Sequence, residues 1–114
     1  MDRIGISLSL RRDRVSIWLD TLKVLYNPEF FRFLINEEEK KLAIEVCEYG
    51  DEGFHIVPDL TYENEYEICS VEMMRMIWDM CGWDPEASYR VMGELYSQER
   101  VVEFKLKEAE KILE

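Results

Sequence analysis

Ile4-Gly5-Ile6-Ser7-Leu8-Ser9-Leu10-Arg11-Arg12-Asp13-Arg14-Val15-Ser16-Ile17-Trp18-Leu19 decides the fold. Ile4, Ile6, Leu8 and Leu10 alternate with small residues, and Val15, Ile17 and Leu19 resume the alternation after a charged break. Period two is the mark of a half-buried strand, so residues 3–19 predict a β-hairpin turning at Arg11-Arg12-Asp13.

Working outward, a short helix is expected at 20–26, with Asp20 favouring its N-terminus and Asn27-Pro28 stopping it. A second hairpin follows. Phe31, Phe33 and Ile35 alternate, Asn36-Glu37-Glu38-Glu39 forms a polar turn, and Leu42, Ile44 and Val46 alternate again. Residues 48–53 read as a loop, and Phe54–Val57 as a short strand ended by Pro58. Thr61–Cys69 fits either a strand with Glu63, Glu65 and Glu67 on one face, or coil. Ser70 is a good N-cap for a helix at 71–81, with Gly82 closing it. Most of that helix is apolar, Glu72, Arg75 and Asp79 forming one narrow stripe, so burial on most sides is expected, as core helix or subunit contact. Its methionines suit core filling or an adaptable partner groove. Tyr89, Val91 and Leu95, then Val102, Phe104 and Leu106, flank a turn at Ser97–Arg100, and 107–114 predicts a short terminal helix. The fold class expected is α+β: short antiparallel hairpins around small helices, in one domain over 1–114.

The charge is −11 but unevenly spread. Residues 1–35 hold six basic and four acidic groups, whereas 42–74 hold nine carboxylates and no Lys or Arg. The chain therefore has a mildly basic head and an acidic body, and the body repels phosphate and anionic lipid. Three cysteines, an odd number without a C-x-x-C pair, argue against a disulfide framework. With no signal peptide and no apolar run near the roughly 20 residues that span a bilayer, a reduced cytoplasmic protein off the membrane is expected.

The run Arg14-Val15-Ser16-Ile17, Leu22-Lys23-Val24-Leu25, Phe31-Arg32-Phe33-Leu34-Ile35 and Lys41-Leu42-Ala43-Ile44 resembles the AbrB/MraZ-like swapped-hairpin transcription factors over about residues 3–47. The family pattern is strand, turn, strand, short helix, second hairpin. The resemblance implies a homodimer of interleaved hairpins and a DNA-binding transcriptional regulator. It places Arg14 at the family's turn arginine, and Arg11, Arg12 and Lys23 on its basic surface, against the phosphates of double-stranded DNA. Residues 54–114 would extend this part with a helix and a hairpin, as a dimer or effector module.

A second expectation, of another class, is an acidic adaptor: a protein–protein interaction domain, or a family member that has lost DNA binding. Catalysis is not expected. His55 is the only histidine and has no nucleophile near it in sequence, while Glu63, Glu65 and Glu67 on one strand would repel one another. Cys47, Cys69, Cys81 and His55 lack metal-ligand spacing, so no metal or other cofactor is expected.

Overall fold

The computed structural model describes residues 3–58 and 65–112. Among them the alternating segments form nine strands in one curled, half-barrel sheet, every pairing antiparallel. The elements are β1 (Gly5–Ser9), β2 (Arg14–Trp18), α1 (Leu19–Val24), β3 (Phe30–Asn36), β4 (Lys41–Val46), β5 (His55–Ile56), β6 (Glu65–Cys69), α2 (Val71–Cys81), β7 (Ser88–Tyr96), β8 (Val101–Lys105), a 3-10 turn (Leu106–Glu108) and β9 (Glu110–Ile112). The sheet order is β5-β3-β4-β8-β7-β1-β2-β6, with β9 also on β7. The two ends of this order meet, because the Tyr66 hydroxyl donates to the Ile56 carbonyl at 2.9 Å.

The inward residues of the alternation make the core: Ile6, Leu8, Val15, Ile17, Leu42, Ile44, Val102 and Phe104 are all within 1% of full burial. Leu22 and Leu25 of the α1 region, and Met74, Ile77 and Trp78 of α2, join the same cluster. Thr21, the one buried polar residue among those described, sits where α1 meets β1. Its Oγ1 accepts from the Gly5 amide at 2.8 Å and donates to the Gly5 carbonyl at 2.9 Å, so both strand groups are satisfied. Gly5 is required there: a Cβ would lie 2.6 Å from the Trp18 ring.

Two halves of like order are interleaved. The first is β1-β2-α1-β3-β4 and the second β5-β6-α2-β7-β8. Both long hairpins turn through four residues, and the last of each, Lys40 (φ 54°) and Arg100 (φ 56°), is left-handed. Where β4 meets β8, Ala43 opposes Glu103, the residues in equivalent places of the two hairpins. The Val46 amide bonds the Arg100 carbonyl and the Leu106 amide bonds the Lys40 carbonyl, both at 3.0 Å. Those two bonds interchange under a local two-fold axis. β2 likewise pairs with β6 around Ser16 and Glu67. The halves also exchange strands: β1 lies on β7 of the second half, and β5 lies on β3 of the first.

Three expectations change. Residues 107–114 were expected to be helical, yet Glu110–Ile112 is a strand on Ser88–Arg90. Two Arg90 nitrogens, Nε at 3.1 Å and Nη2 at 2.8 Å, hold Glu110, and Lys111 reaches Asp84 at 2.9 Å, so tertiary pairing overrides helix propensity. The 71–81 helix is buried on one face only; Met76 (41%) and Val71 (45%) are exposed beside its polar stripe. The first helix is short, ending at Val24, because Tyr26 (φ 62°) and Asn27 (φ 49°) turn left-handed. Residues 54–114 pack onto the N-terminal part, with β6 and β7 flanking the first hairpin. The uncertain stretch 61–69 resolves as strand from Glu65; residues 61–64, Glu63 among them, lie outside the described residues.

Candidate functional site

Alternation that sends Ile6, Leu8, Val15 and Ile17 inward sends Ser7, Ser9, Arg14, Ser16 and Trp18 to the outer face. β6 adds Glu65 and Glu67 to that face, opposite Trp18 and Ser16. The result is a shallow polar surface with two depressions that share Glu65. One, of about 460 Å³, is lined by Arg3, Trp18, Asp20 and Lys23. The other, of about 190 Å³, is lined by Arg12, Arg14, Glu67 and four serines.

Three of the four arginines and lysines singled out in the sequence thus fall on this face: Arg12 and Arg14 at one end, Lys23 at the other. Arg11 is exposed in the β1–β2 turn but lines neither depression. What the sequence did not show is the company they keep. Arg14 Nη1 is 2.9 Å from Glu67 Oε2. Lys23 Nζ is 3.9 Å from Asp20, whose other oxygen accepts the Arg3 amide at 2.8 Å. The Arg3 guanidinium lies over the Trp18 ring at 4.9 Å, and Trp18 Nε1 donates to Ser7 at 3.0 Å. Exposed ion pairs of this kind stabilise little, at most about 1 kcal/mol, but they cancel charge where a phosphate would need it. Elsewhere Arg32 pairs with Glu45, Lys41 with Glu39 and Glu103, Arg90 with Glu110 and Lys111 with Asp84. Arg12 makes no ion pair among the described residues.

His55 faces inward on β5, its ring stacked 5.3 Å from Phe31 and edge-on to Phe33 at 5.4 Å. Burial there pushes its pKa below the ordinary 6.5. The Cys47 and Cys81 thiols are pushed up by burial, away from reactive thiolate. Among the described residues, no group of three or more His, Cys, Asp and Glu could hold a metal ion, and no helix is long and apolar enough to cross a membrane.

A pH dependence follows from His55. Above its unfolded pKa both states are neutral and the histidine contributes no slope. Below about 6.5 the unfolded chain takes a proton that the folded chain resists, so stability falls as pH drops through that range. The urea midpoint should decline between pH 7.5 and 5.5, and His55→Gln should flatten that decline. An equal slope in both proteins would show that carboxylates alone set it.

Searches of known protein families, curated proteins and solved structures returned no match to this chain.

Proposed function

We propose that the chain is a protein–protein interaction domain on the AbrB/MraZ-like plan that has given up DNA binding. The plan is supported by its two interleaved halves of strand, strand, helix and hairpin. Asp13, left-handed at φ 52°, adopts the conformation a turn glycine would take in the first hairpin. Strand exchange that the resemblance implies for a homodimer takes place here within one chain, so a single chain is the proposed working unit.

The observation that carries the loss of DNA binding is the pairing of Arg14 with Glu67 on a face where Glu65, Glu67 and Asp20 stand among the cations. On a chain of −11, such a face presents phosphate with almost no net attraction. Titration of labelled duplex DNA at about 50 mM salt, where phosphate contacts are strongest, should give no change in anisotropy. Salt-sensitive binding that disappears in an Arg11→Ala/Arg12→Ala/Arg14→Ala variant would overturn the proposal.

A DNA-binding transcriptional regulator is the second reading. Arg12, exposed and outside any described ion pair at the tip of the first hairpin, favours it. Under this reading Arg11, Arg12, Arg14 and Lys23 touch the backbone, and Arg14 must leave Glu67 to do so.

A further inference from the structure

We infer that a ridge of Phe30, Tyr49, Phe54 and Ile56 is the docking surface for an arginine-rich segment of a partner protein. The inference rests on the interaction-domain reading and names where that interaction occurs and with what.

The ridge begins with β3, where Phe31 points into the core and Phe30 therefore points out. Ile56 stands opposite Phe30 on the same face of β5 and is 59% exposed. The loop from β4 to β5 then folds back through two tight turns. The Asp51 amide bonds the Glu48 carbonyl and the Phe54 amide bonds the Asp51 carbonyl, each at 3.1 Å. The Glu48 amide is held by Asp51 Oδ2 at 2.8 Å. Gly50 (φ 87°) and Gly53 (φ 76°) supply the left-handed residues these turns need.

This scaffold sets three rings in mutual edge-on contact. Phe30 to Tyr49 is 5.7 Å, Phe30 to Phe54 is 6.0 Å and Tyr49 to Phe54 is 5.2 Å. Yet Tyr49 remains 74% exposed, so its ring is fixed in place without serving the core. Exposed Tyr49 and Ile56, set against half-buried Phe30 and Phe54, make an apolar patch of the kind that marks contact sites.

Charge selects the partner. Glu48 and Glu52 are exposed on the same loop. The cation closest in register, Arg32, is already bound to Glu45 through Nε at 2.8 Å and Nη2 at 2.7 Å. No Lys or Arg occurs from residue 42 to 74. A nucleic acid or an acidic protein is repelled by this rim, and an apolar partner would strip water from its carboxylates without compensation. A guanidinium satisfies both features, since it stacks on an aromatic face while its N–H fork meets a carboxylate. Lysine does so less well, its ammonium being compact and more strongly hydrated.

The test is an amide NMR titration of the full chain with a short peptide alternating arginine and serine. Lysine and glutamate versions of the same length serve as controls. Shifts should gather at residues 47–56 and Phe30, the arginine peptide should bind more tightly than the lysine one, and the glutamate peptide should not bind. Tyr49→Ala should weaken arginine-peptide binding about fivefold. Glu52→Gln, an exposed change, should weaken it as well while leaving amide dispersion intact. Equal binding by Tyr49→Ala and the parent overturns the inference, as does no shift at millimolar peptide. Shifts at Glu65 and Glu67 instead would remove this surface while leaving the interaction-domain reading in place. That reading fails on the duplex titration, a separate measurement.

Discussion

Severed between Pro58 and Glu65, the protein should still assemble: fragments 1–58 and 65–114, mixed after separate purification, should elute as one 1:1 complex with the β-rich spectrum of the intact chain. The reason lies in where the strand pairs fall. Across this cut, β1–β7, β2–β6 and β4–β8 contribute five residue pairs each. Within the fragments, β1–β2 and β7–β8 contribute four each, β3–β4 six, β7–β9 three and β3–β5, whose β5 stays with 1–58, two. Nearly as many pairs cross as do not, so neither fragment carries its own sheet. The continuous chain then acts mainly by raising the effective concentration of one half near the other. Each fragment alone exposes strand edges that the other would cover, and it should be unfolded or aggregated. Fragments that fold separately and ignore each other would show the interleaving to be dispensable.

The sequence reads well wherever structure is local. The hairpins over 4–19 and 31–46 follow from alternation alone, because a one-residue slip would turn Ile6, Ile17, Leu42 or Ile44 to solvent. The bounds of α2 were legible in its caps: Ser70 Oγ accepts the Met73 amide at 3.3 Å and Gly82 is left-handed at φ 64°. Long-range pairing was hidden. Nothing local to Arg14 announces Glu67, 53 positions away, so the ion pair of Arg14 could not be read from its own segment. The internal two-fold was hidden for a different reason. The equivalent helices have six and eleven residues, and the equivalent hairpins share a turn geometry but few side chains. The aromatic ridge was missed because Tyr49 lies in a segment read simply as loop, and its fixed position depends on Phe30, which arrives from another strand.

Phe104→Ala should cost about 3–5 kcal/mol of unfolding free energy by urea titration, a large share of the 5–15 kcal/mol typical of such domains. Phe104 is fully buried on β8, with Leu42 opposite on one side and Gly93 on the other. Its ring fills the space a side chain at Gly93 would need: a Cβ there would lie 2.7 Å from Phe104 and 2.6 Å from Val102. Gly93 marks the point on β7 where the pairing passes from β1 to β8, and its amide bonds the Ile4 carbonyl at 2.9 Å. A methyl at this position has no room, so Gly93→Ala alone should cost about 1–3 kcal/mol. Combined with Phe104→Leu, which shortens the side chain, the same methyl should cost less, with a coupling of about 0.5 kcal/mol or more. Strict additivity would mean that the ring is not what excludes a side chain from residue 93. The position also separates fold from docking. Tyr49→Ala removes a ring of similar size from an exposed loop and should shift the urea midpoint little. A loss at Tyr49 as large as that at Phe104 would make the ridge part of the core, and its exposure would no longer need a partner to explain it.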